Sequence, residues 1–391
     1  MNYILFDSDV RNSLLPFTYT RPVADIRIGV LTIREKWEKF LGFTTTSITE
    51  EYLENKYPMV ELDKNILINA SFLPTKNLVK QVSNLSNNQA IFKDEQVIAF
   101  FTSDTQEHVD FDSYEQLEFK EEVLQIKNTW DIFSLNDKAI KADYDLITQG
   151  RTSAPIPEGV QVINKENIFI EEGATISFSS LNASKGPIYI GKDAEIMEGC
   201  LVRGPFALCE HSVLKMGAKV YGATTLGPYC KVGGEVNNSV LFGFSSKGHE
   251  GFLGNSVLGE WCNVGADTNT SNLKNNYAEV KLWDYHKERF TNTGLQFCGL
   301  MMGDHSKCGI NTMFNTGTVI GVSANIFGSG FPRNFIPSFS WGGAAGFTTY
   351  QLNKVIEVAK VVMKRREIEW SEIDEKILQH VFDETAKNRA K

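Results

Sequence analysis

Residues 190–236 read IGKDAEIMEGCLVRGPFALCEHSVLKMGAKVYGATTLGPYCKVGGEV. Stepping by six from Ile190 lands on Ile196, Val202, Leu208, Leu214, Val220, Leu226 and Val232, aliphatic at every step. Four residues after each stand Ala194, Cys200, Phe206, Ser212, Ala218, Thr224, Cys230 and Val236, most of them small. A helix would repeat its apolar residues at three and four, and an ordinary strand at two. Two columns sharing a period of six instead describe short flat strands stacked coil upon coil, each sending one aliphatic side chain inward. A small residue then fills the tighter seat near each corner. The fold expected from this stretch is a parallel β-helix.

Outward from it, the register returns at Phe252, Leu258 and Val264, and again at Met302, Cys308, Phe314, Ile320 and Ile326. Val232 to Phe252 is twenty residues, two more than three repeats, which predicts a short insertion. A second interruption, 271–296, holds Lys274, Lys281, Trp283, His286 and Arg289 and is too polar to continue the columns. Loops that break a regular solenoid are where function tends to sit. All six cysteines lie in the repeat region without the C-x-x-C spacing of a zinc or redox site, so they read as small buried residues.

Residues 1–150 lack the period. Short strands are expected at Tyr3–Phe6, Asn65–Asn69 and Gln96–Phe101 and a helix at Ile28–Leu41, the pattern of an α/β domain. Pro155 and Pro157 mark a linker over 151–160, and the β-helix is expected to occupy 161–346. In 347–391, Tyr350–Trp370 has helical spacing and Ser371 with Asp374 the spacing of a helix cap. These helices read as a cover for the coil end or an oligomer seam. A length of 391 residues fits more than one domain, and 42% hydrophobic content fits a globular chain. Net charge of −9 disfavours nucleic acid as a partner but leaves room for small phosphorylated ligands. With no apolar run of membrane length and no signal-peptide pattern at the start, no membrane partner and a cytoplasmic location are the expectations.

The densest chemistry is Ser246-Lys247-Gly248-His249-Glu250-Gly251-Phe252-Leu253-Gly254, followed by Trp261-Cys262-Asn263 and Ser271-Asn272-Leu273-Lys274. This block resembles the acetyltransferase half of the bifunctional uridylyltransferase/glucosamine-1-phosphate acetyltransferases, in which a Lys-x-Gly-His loop leaves a left-handed β-helix of hexapeptide repeats. The resemblance implies transfer from acetyl-CoA to an amino-sugar-1-phosphate, in a homotrimer. It implies His249 as the general base, since imidazole titrates near neutrality, with Asn272 orienting base or amine. Phe252 and Asn263 match sugar-phosphate contacts, and Lys219 and Lys247 are candidate phosphate contacts by charge and place. Asn237 stands where that family has a phosphate-binding lysine, so a different amino-sugar acceptor is a further reading.

Arg11-Asn12-Ser13-Leu14-Leu15-Pro16-Phe17-Thr18-Tyr19-Thr20-Arg21-Pro22 resembles the signature of sugar-1-phosphate nucleotidyltransferases with its glycine loop replaced by Phe6-Asp7-Ser8-Asp9-Val10. Val23 stands at the lysine position and Ser71 near that of a metal-binding aspartate. With Thr129-Trp130-Asp131-Ile132-Phe133, the set resembles a divergent branch of sugar nucleotidyltransferases. It implies nucleotide contacts at Arg11, Arg21 and Arg27, and Mg²⁺ if this domain is active; the metal ligands are not identified. Against the enzyme stands a different class of reading, a non-catalytic nucleotide-sugar-binding protein or assembly scaffold. Such a scaffold has no need of His249.

Overall fold

The computed structural model describes residues 2–103 and 109–389. Its N-terminal part is a mixed six-stranded sheet. Parallel to β1 (Asn2–Phe6) run β2 (Thr46–Ile48) and β3 (Asn65–Asn69). Beyond β3, β4 (Gln89–Lys93), β5 (Gln96–Thr102) and β6 (Glu115–Glu118) extend the sheet in the order β2-β1-β3-β5-β4-β6. Every residue of β3 is buried, as its unbroken apolar run Ile66-Leu67-Ile68 requires. The helix expected at 28–41 spans Ile33–Leu41. The reciprocal capping box of Thr32 and Glu35 starts it there. The preceding residues serve a contact instead: Val30 and Leu31 donate their N–H groups to Asp143, at 2.7 and 3.0 Å.

Past the extended linker, the chain winds into a parallel β-solenoid with three faces. The inward columns are as expected: Ile190, Ile196, Leu208, Leu214, Leu226 and Val232 are fully buried, with Cys200, Ala218 and Cys230 in the corner seats. Burying each aliphatic side chain contributes about 1.5–3 kcal/mol. The expected insertion after Val232 is in fact a shortening. In-register partners lie eighteen residues apart from Ile190↔Leu208 to Leu214↔Val232, then sixteen at Val220↔Val236 and fifteen at Leu226↔Leu241 and Val232↔Lys247. The register therefore resumes at Leu253, facing inward beside Val236, and Phe252 points outward. Lys247 takes an interior seat that other coils give to Val232 and Val264.

The three faces differ outside. On one, strands such as Phe206–Leu208, Thr224–Leu226, Leu300–Met302 and Thr318–Ile320 are buried on both sides. Phe242, Val257, Met301 and Val319 there join one core with the N-terminal domain. Cys209 and Cys298, outside the interior columns, are buried in contacts on the outer side, and all six thiols are free. A second face, with Leu201–Arg203, Lys219–Tyr221 and Glu235–Asn237, keeps its outward side chains accessible. The third carries two-residue strands such as Lys231–Val232, Ser246–Lys247 and Asn263–Val264.

The interruption at 271–296 forms an antiparallel hairpin, Lys281–Asp284 with Arg289–Asn292. Val280, Leu282 and Tyr285 are buried, with Tyr285 edge-on to Tyr19 at 5.6 Å. At the C-terminus, helices span Leu352–Lys364 and Glu372–Glu384; the first stops well before Trp370, and the second starts at the Ser371–Asp374 capping box. They do more than cover the coil. His380 stacks on Tyr52 at 3.8 Å and Asp374 pairs with Lys56 at 2.8 Å, tying both parts of the chain together. Among the described residues no helix is long and apolar enough to cross a membrane.

Candidate active site

The corner between the third face and the open face carries the Lys247–Phe252 loop. Lys247 enters the coil interior and donates its ammonium to the carbonyls of Gly233 at 2.9 Å and His249 at 2.6 Å. Burial pulls its pKa down to about 8, with Glu250 and Asp267 opposing that shift. The amine is thus turned inward onto backbone, where it pins the loop. Gly251 permits the loop's exit: its φ is +114°, and a Cβ there would lie 2.1 Å from the Thr268 carbonyl.

Pinned by its own carbonyl, His249 presents an exposed imidazole. Among the described residues no hydrogen bond or ion pair reaches that ring. Glu250 reaches Lys219 at 3.5 Å on the open face, and Phe252 lies in register with Glu235 beside them. Phe252 and Asn272 converge over Gly254, where a Cβ would lie 2.5 Å from the phenyl ring and 2.7 Å from the Asn272 Nδ2. Asn272 is oriented by donating to Asn255 Oδ1 at 2.8 Å. Asn263 is exposed on the third face, in register with Ser246. The corner therefore gathers Lys219, Glu250 and Phe252 on one side of His249, with Asn263 on the other and Asn272 beyond Phe252. Glu250 and Asn255 were not singled out in the sequence; Glu250 lay inside the motif, whereas Asn255 is recognisable only through its contact.

Arg11, Arg21 and Arg27 are buried and are not brought to a common site. Arg11 donates to the Thr18 carbonyl at 3.0 Å and to Tyr52 Oη at 2.8 Å, and pairs with Glu50 at 3.2 Å. Arg21 crosses to the solenoid, pairing with Asp304 and, at 3.2 Å, with Glu260. Arg27 donates to the Phe242 carbonyl at 3.0 Å and to that of Val30. Asp7, at the mouth of β1, accepts from Val23 N–H at 2.8 Å and Thr49 Oγ1 at 2.7 Å, and burial pushes its pKa up to about 6. Ser71 is buried and donates to Asn69 Oδ1 at 2.8 Å. Among the described residues no three His, Cys, Asp or Glu side chains are grouped to hold a metal ion.

Residues 3–152 match the model of a family described as sugar nucleotidyl transferase. No curated protein matches the chain in sequence. Among solved structures it is similar to LpxA, a UDP-N-acetylglucosamine acyltransferase from Bacteroides fragilis, at 13% identity over 58% of this chain and 84% of that one, TM-score 0.27. It is also similar to the polysialic-acid-specific acetyltransferase NeuO at 11% identity over 49% and 79%, TM-score 0.24. The N-acyltransferase AntD from Bacillus cereus is 13% identical over 53% and 90%, TM-score 0.21. At such scores these likenesses carry no functional argument.

Proposed function

We propose that the solenoid corner transfers an acyl group, acetyl in the first instance, from coenzyme A to the amine of an amino-sugar phosphate. The observation that carries this reading is the His249 loop. An interior lysine fixes the carbonyl of an exposed histidine, in a loop whose Glu250 reaches Lys219 and whose Phe252 converges with Asn272 over Gly254. In the reaction, His249 takes a proton from the attacking amine as the C–N bond forms at the thioester carbonyl. The C–S bond then breaks, and the proton passes to the leaving thiolate. Lys219 supplies charge for the acceptor's phosphate once Glu250 yields it. Lys247 acts through the backbone as a positioning residue.

A trimer built on the open face is part of the proposal. Phe178, Met216 and Ile310, at the same corner as His249, are 72%, 67% and 69% exposed, and Leu201 and Ile163 beside them are 56% and 53%. Exposed apolar side chains repeated along one side of a coil favour a partner surface.

For the N-terminal domain the proposal is contact with a sugar nucleotide, on the strength of the family match alone. The carboxylate of Asp7 is already bonded, and Ser71 stands in for a charged ligand. This donor set does not fit a resident Mg²⁺ ion.

The test incubates purified protein with acetyl-CoA and glucosamine-1-phosphate and measures free thiol. In parallel, UTP, GTP or dTTP is supplied with N-acetylglucosamine-1-phosphate and pyrophosphate is measured. Thiol release abolished by His249→Ala is expected. Thiol release indifferent to that substitution, or none with any amino-sugar phosphate, sinks the acyl-transfer reading in favour of a scaffold.

A further inference from the structure

The hairpin interrupting the coil builds a second cleft, at a different corner from His249. Its strands place Val280 and Leu282 down against the coil, so closely that a Cβ on Gly317 would lie 2.7 Å from Val280. By the alternation of a strand, Lys281 and Trp283 take the opposite face and line a cleft of about 660 Å³ together with Lys274, Phe290, Arg333 and Phe335. Its aromatic wall is preformed. Trp283 stacks on Phe335 at 4.2 Å and meets Phe290 edge-on at 5.4 Å, and Phe290 remains 41% exposed.

Charge in the cleft is one-sided. Three cations line it and no aspartate or glutamate does, in a chain of net charge −9. Lys274 donates to the Glu279 carbonyl at 2.7 Å. Lys281 and Arg333 are exposed and pair with no carboxylate among the described residues; Arg333 lies 5.4 Å above the Phe347 ring. The Trp283 indole N–H is buried with no acceptor among the described residues. An orphan donor and three unneutralised cations beside an aromatic wall are costly alone and favourable around an anion carrying a flat ring. A cleft of this volume suits a ligand of nucleotide size.

The geometry points to a nucleoside diphosphate site here: the base lies against Phe290 and the Trp283–Phe335 pair, and the phosphates are held by Lys281, Arg333 and Lys274. The site is independent of the acyl-transfer reading, because none of its residues belongs to the His249 corner.

Calorimetric titration of the full chain with UDP, GDP and ADP tests it, with uridine, guanosine, adenosine and pyrophosphate as half-ligands. At least one diphosphate should bind saturably, and its matching nucleoside and pyrophosphate at least about tenfold more weakly. The exposed-residue double variant Lys281→Glu/Arg333→Glu should weaken binding by at least about tenfold, and Trp283→Phe by a few-fold, both with unchanged melting temperature. The proposal is overturned if none of the three diphosphates binds, if the double variant binds as wild type does, or if pyrophosphate alone matches the diphosphate.

Discussion

Two corners of the same solenoid use the same backbone geometry for opposite ends. At the corner leading from the covered face to the third face, His211, Tyr229, Phe244, Trp261 and His305 all adopt φ between +54° and +62° and stack ring on ring. Ring separations run from 4.2 Å at Phe244–Trp261 to 6.2 Å at Trp261–His305, and Trp370 from the C-terminal segment closes on His305 edge-on. His211 is exposed at one end of the ladder, whereas His305 at the other is roofed over by Trp370. At the corner leading to the open face, glycines at 199, 217, 234 and 251, continued by Asp267 and Asn311, take the positive φ, and Met216, His249, Glu250 and Ile310 beside them stay exposed. Rings that stack convert left-handed backbone strain into buried area, whereas glycine relieves that strain without filling space. The first corner is built for stability and the second for access.

The largest effect that would test this contrast is Trp261→Ala. Trp261 is 7% exposed in the centre of the ladder, so its loss should cost about 3–5 kcal/mol in denaturant unfolding. A cost under about 1 kcal/mol would mean that the ladder does not bear on stability. His249→Ala should behave oppositely, lowering thiol release by about 10²-fold or more with no change in melting temperature.

Lys247→Met sharpens the contrast, because it puts an apolar side chain back into an aliphatic column. Relief from burying a cation and the loss of bonds to two carbonyls should nearly cancel, leaving stability within about 1 kcal/mol of wild type. Thiol release should still fall about tenfold as the loop loosens. Wild-type release should also bend near pH 8, where Lys247 loses its proton, and the bend should vanish in Lys247→Met.

The smallest effect is a pH dependence at the ladder. Burial, with Lys307 and Lys56 adding to it, pulls the His305 pKa down to about 3, and its Nδ1 has no partner among the described residues. The folded state therefore binds fewer protons than the unfolded one between pH 6.5 and 3. Its contribution to stability is complete above pH 6.5 and is lost as the pH falls through that window, by about 1 kcal/mol per pH unit because the ring keeps some solvent contact. His305→Phe should flatten that slope in urea titrations at pH 6.5 and 4.5, leaving the opposite trend from Asp7 in place.

The interior of the coil was legible residue by residue because a period of six leaves an aliphatic side chain at every inward seat. The motif around His249 was legible because glycines and a histidine break that period. Phe252 was assigned inward because counting by six cannot detect a shortened corner; only the pairing of Val236 with Leu253 reveals it. Lys247 looked like a phosphate contact because sequence carries its charge without its direction. The three arginines looked alike for the same reason, whereas Arg11 turns to nearby Thr18, Glu50 and Tyr52, and the partners of Arg21 and Arg27, Glu260, Asp304 and Phe242, lie more than two hundred residues away.

By itself, the sequence determined that this chain would wind into stacked coils and that residues 271–296 would interrupt them, since both follow from local apolar spacing. Which face is covered, which corner is roofed and which cations turn inward were decided only by tertiary structure. Those outcomes depend on long-range packing of the N-terminal domain, the hairpin and the C-terminal helices onto the coil, and local spacing does not encode that.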